Sequence, residues 1–136
     1  MLRIFALALI ASLPLFPQAA NKSWWNGETI KELNLRPDQL REMRTTMREF
    51  RPLLQELRAN VQKAEQDLEA VFNSDPVDNA KANEAIDRLV AARSELTREL
   101  SRMGLRLRGV LTLQQWQEVQ KRFPPKALGG TQPSGN

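Results

Sequence analysis

The stretch LREMRTTMREFRPLLQELRANVQKAEQDLEAV, residues 40–71, decides the fold. Its apolar positions are Leu40, Met43, Met47, Phe50, Leu54, Leu57, Val61, Ala64, Leu68 and Val71. The spacing alternates three and four without a break, which puts all of them on one stripe of an α-helix. A half-buried strand needs alternation at every second residue, and no run long enough for that occurs in the chain. Pro37 stands just ahead of the stretch, where its fixed φ and missing N–H suit the first helical turn. Pro52 falls inside it at the position farthest from the seam. Its ring should face solvent, so the helix bends there instead of stopping.

Working outward, NSDPVD at residues 73–78 breaks the run. Asp75 as N-cap, Pro76 at N1 and Asp78 at N3 form a start signal for a second helix. That helix carries Ala82, Ile86, Leu89, Arg93, Leu96, Leu100, Met103, Leu107 and Val110 at the same spacing. Two such helices joined by a short turn make an antiparallel hairpin roughly 50 Å long. Arg93 interrupts the second seam. It is expected to snorkel to solvent or to meet a carboxylate across a dimer.

Both ends of the hairpin carry helix-start chemistry. In NKSWWNGETIKELNL, Asn26 is a plausible N-cap, with Trp25 and Ile30 at the two positions of a hydrophobic staple, for a short helix over 27–33. In LTLQQWQEVQKRF, Thr112 and Gln115 form a capping box, and Leu113, Trp116, Val119 and Phe123 share one face. Trp24, Trp25 and Trp116 should cover the open end, because a two-helix seam alone buries too little. The fold class is therefore all-α: a bent antiparallel hairpin of two long helices flanked by short N- and C-terminal helices, over residues 21–124. Residues 1–20 read as a signal peptide, with Arg3 before an apolar stretch and small residues at Ala19 and Ala20. The cleavage site is imperfect, which leaves an uncleaved membrane anchor open. The Gly/Pro/Ser-rich tail at 125–136 should be disordered.

Composition excludes more than it suggests. The chain has no His and no Cys, so neither of the commonest bases and nucleophiles is available, and no Gly-rich phosphate loop occurs. A non-enzymatic protein without a cofactor is expected. Met43 and Met47, four apart on one helix face, are the only pair resembling a soft-metal site. Both are seam positions where Met is ordinary packing, so no metal is assigned to them. The net charge of +4 points to acidic partners. Export and the lack of aromatics between the arginines argue against nucleic acid.

Charge is unevenly distributed. Residues 60–87 carry two lysines against seven carboxylates, whereas the flanking parts of both long helices are rich in arginine. The hairpin should have an acidic tip and a basic open end. Arg41, Arg44, Arg48 and Arg51 recur at three-four spacing beside the seam, with Glu42, Glu49 and Glu56 as potential partners. With apolar neighbours such as Leu53, they are the candidate binding residues for acidic or amphipathic polypeptide.

Two phrases bracket the hairpin: Leu35, Pro37 and Gln39 near its start, and Leu111, Thr112 and Gln115 near its end. With the Trp-Trp lead-in and the Arg-rich helices, they give a chain that resembles the Spy/CpxP superfamily over residues 24–123. That group includes periplasmic heavy-metal-resistance proteins and sensors. The resemblance implies a homodimeric, periplasmic, all-helical cradle. It further implies an envelope-stress adaptor or ATP-independent chaperone that binds unfolded or sensor-domain polypeptide on a basic concave face. The alternative it implies is a metal-responsive sensor subunit of a heavy-metal resistance system. Two departures stand out: Arg36 replaces the capping Thr of the first phrase, and the histidines of metal-handling members are missing.

Overall fold

The computed structural model describes residues 23–123 of the chain. The signal peptide expected at 1–20 and the tail at 125–136 lie outside the described residues. Four helices follow one another: α1 (Gly27–Glu32), α2 (Pro37–Phe72), α3 (Asn79–Val110) and α4 (Leu113–Arg122). No strand occurs among the described residues. Helices α2 and α3 pack along each other as the hairpin, and α2 runs unbroken through an exposed Pro52.

The periodic stretch of α2 orients as its spacing requires. Every one of its ten apolar positions is buried or half-buried. The core is concentrated at the open end, where Leu33, Met43, Leu54, Met103, Leu107, Leu111 and Val119 cluster. Trp24, Trp25 and Trp116 pack against that cluster, as the open-end reading requires. Trp24 meets the other two indoles edge-on, each at 5.5 Å between centroids, a geometry that suits the ring quadrupoles.

Three readings of α3 are corrected. The N-cap is Asp78, whose side chain accepts from the Lys81 amide at 3.1 Å, and not Asp75. The chain needs residues 73–78 to reverse direction, so Asp75 and Pro76 belong to the turn, and Asp78 is the next residue whose side chain can cap. Ile86 is not a seam residue: it is 40% exposed, and Ala85, at 0%, takes its place. Arg93 neither snorkels freely nor needs a second copy to find a carboxylate. It reaches across the hairpin to Glu65 at 2.7 Å.

Candidate functional site

The residues singled out in the sequence fall into two assemblies, a clasp at the open end and a charged face on α2. The clasp begins with local chemistry. The Thr112 hydroxyl accepts from the Gln115 amide at 3.1 Å, and Gln115 Oε1 accepts from the Thr112 amide at 2.9 Å, which closes the expected capping box of α4. In the first phrase only half of the box forms: Gln39 Oε1 accepts from the Arg36 amide at 3.0 Å. A guanidinium has no acceptor and cannot supply the other half. The Arg36 side chain instead donates to both oxygens of Asp38. That hydrogen bond, more than the charge itself, holds the Asp38 carboxyl below its usual range.

The two glutamines then join each other. Gln39 Nε2 donates to Gln115 Oε1 at 2.8 Å, and Gln115 Nε2 donates to Gln39 Oε1 at 3.1 Å. Gln39 also donates to the Val110 carbonyl at 2.9 Å and is only 2% exposed. Its oxygen accepts two hydrogen bonds and its nitrogen donates two, which saturates the amide. Both glutamines are legible as helix-start residues, but their union across 76 positions is not. A local window shows one acceptor bond for each amide and leaves the N–H groups unassigned.

The arginine face is built on a single uninterrupted helix. At about 100° per residue, Arg41, Arg44, Arg48 and Arg51 fall within an arc of about 80° on α2. All four are exposed, and none forms an ion pair among the described residues. The expected Glu partners lie around the helix from them, and Glu49 crosses to Arg106 of α3 at 2.8 Å instead.

One expectation about this face is revised. Leu53 is 39% exposed, but it projects roughly opposite the arginine arc, because a residue two places past Arg51 is rotated by about 200°. The four arginines share the solvent side of α2 with Pro52. The apolar border of the arginines is formed by half-buried Leu40 and Met47, not by Leu53.

Met43 and Met47 are placed as packing side chains. Met43 is 1% exposed within the core cluster, and Met47 packs against that cluster. Two thioethers without a third convergent donor do not make a site. No group of three His, Cys, Asp or Glu that could hold an ion occurs among the described residues.

A family model described as heavy-metal resistance matches residues 6–118. The chain belongs to the heavy-metal resistance family. This family lies within the Spy/CpxP-like periplasmic superfamily, in agreement with the paired phrases and the hairpin. Membership supports a heavy-metal resistance or sensor-like role in general. Members of the heavy-metal resistance family are typically periplasmic. No helix among the described residues is long and apolar enough to cross a membrane. No curated protein and no solved structure matches the chain.

Proposed function

We propose that the protein is a periplasmic, non-enzymatic adaptor or ATP-independent chaperone that holds acidic, loosely structured polypeptide on the outer arginine face of α2. The observation that supports this reading is the set of four exposed guanidiniums that form no ion pair among the described residues. Their positions are fixed along about 15 Å of helix. Such a row attracts acidic chain from a distance, and its aliphatic stems tolerate varied apolar contacts without demanding a sequence.

The test is suppression of aggregation of an acidic unfolding client. At low ionic strength the protein suppresses aggregation, and the effect fades as salt shortens the screening length towards ~3 Å near 1 M. Charge reversal at Arg44 and Arg48 removes it. No suppression at molar excess and low salt overturns the proposal. The working unit in this reading is a homodimer joined through the outer face of α3, where Ile86, Val90 and Leu105 are exposed.

A second reading is favoured by the family: a metal-responsive sensor subunit of a heavy-metal resistance system. A ligand that prefers the native state raises the melting temperature. No shift with zinc, copper, nickel or cobalt eliminates direct metal response, whereas a shift with one of them favours this reading over the first.

A further inference from the structure

One flank of the arginine face opens into a groove of about 500 Å³ between α1 and α2. Ile30, Leu40 and Met47 line it and are half-buried, and Met43 is its most enclosed residue at 1% exposed. Lys31 and Arg44 also line it. Both are exposed, and neither forms an ion pair among the described residues. No carboxylate is among the lining residues.

The charge decides what kind of occupant fits. Two uncompensated cations beside an apolar slot repel a cationic ligand and leave a neutral one without a partner for either. An apolar group carrying nearby negative charge satisfies both parts. Arg44 belongs to the groove and to the arginine face at once, and Arg41 and Arg48 lie within about one helical turn of it. Arg41 and Arg48 are about 10 Å apart along the axis, the span of about three extended residues. An occupant seated in the groove therefore has cations ahead of it and behind it.

We infer that this groove receives the apolar side chain of an extended polypeptide segment whose neighbouring residues are Asp or Glu. The inference rests on the reading of the arginine face as a polypeptide-binding surface. It narrows the client from acidic chain in general to an apolar residue set between acids.

The test uses the full chain and three short labelled peptides followed by fluorescence anisotropy. One has a Leu-Phe centre flanked by aspartates, one has serines in place of Leu-Phe, and one has lysines in place of the aspartates. Seating an apolar side chain should make the first peptide bind about tenfold tighter than the second, with no binding of the third. The double variant Lys31→Glu, Arg44→Glu abolishes the preference for the first peptide. Arg51→Glu, which lies outside the groove, weakens both acidic peptides alike and preserves their ratio. Melting curves check the fold of each variant. Equal affinity for the first two peptides overturns the groove and leaves the arginine-face reading standing. Binding of neither overturns both. Displacement of the first peptide by a medium-chain fatty acid that binds more tightly assigns the groove to an acyl chain and overturns a peptide occupant.

Discussion

At the scale of single residues, Arg36 and the glutamine pair make opposite predictions. Arg36 sits at the N-cap of α2 and gives no side-chain cap. Its exchange with Asp38 is a fully exposed ion pair, so losing that pair changes stability little. Arg36→Thr supplies the hydroxyl that Thr112 already supplies to α4, and thermal unfolding should show a gain of ~0.5–2 kcal/mol. A lower melting temperature would falsify the cap geometry. Gln39→Leu does the reverse. It strips the Val110 carbonyl, the Arg36 amide and Gln115 of a buried partner, and leaving such groups unmet costs ~2–3 kcal/mol. Gln115→Leu should cost less, because Gln115 is less buried and makes fewer bonds. In a double-mutant cycle the two losses should be smaller together than their sum, because the two reciprocal hydrogen bonds are shared. Full additivity would mean that the pair contributes nothing as a pair.

At the scale of elements, α2 was far easier to read than α3. In α2 every position of the three-four apolar stripe is buried or half-buried, and the period alone orients the helix. In α3 the seam near the turn passes through Ala85, not its larger neighbour Ile86. A pattern reading follows bulk, but here the inward position falls on the smaller of two neighbours. Ala64 and Ala85 are the buried apolar residues nearest the loop on their respective helices. The exposed Ile86 is left over from that choice. Glycine gives α3 a second element-scale prediction. A methyl group at Gly109 meets nothing within 4 Å, so Gly109→Ala should stabilise the helix by ~0.5–1 kcal/mol in a denaturant melt. At Gly104 the same methyl group lies 3.1 Å from Cζ3 of Trp25. The propensity gain is offset there by displacement of the indole, so Gly104→Ala should stabilise less than Gly109→Ala and shift the tryptophan emission. Equal gains at both positions would show that Trp25 does not rest against Gly104.

At the scale of the whole molecule, the polarity of charge was legible in the sequence, because an antiparallel hairpin superimposes its two basic stretches. Leu53 adjoins the arginines in sequence, but the helical period places it on the other side of α2. The homodimer proposed above would join through α3's outer face. Val90, Ser94, Thr97 and Arg98 border one groove on that face, and Thr97, Gly104, Leu105 and Arg108 border the next with the tryptophans. Ile86, Val90 and Leu105 are 40%, 58% and 73% exposed. In that proposed dimer, a twofold axis between Ser94 and Thr97 would set Ile86 of one copy over the level of Leu105 of the other, and Val90 over Ser101. It also brings Glu84 and Asp87 of each copy towards Arg102 and Arg106 of the other, so an antiparallel pair is complementary in charge as well as in apolar contact. The chain has no cysteine of its own, which makes the arrangement directly testable. Ser94→Cys lies within about 3 Å of the axis along the helix and should form a disulfide dimer on mild oxidation. Leu105→Cys, whose two copies are about 28 Å apart in the same arrangement, should not. Cross-linking at both positions indicates parallel helices, and cross-linking at neither removes α3 as the dimer interface. Leu105→Glu should then shift the sedimentation of the uncross-linked protein towards monomer and remove the concentration dependence of its melting temperature, while the helical content of the folded chain is kept, since a side chain this exposed contributes little to the fold of one copy.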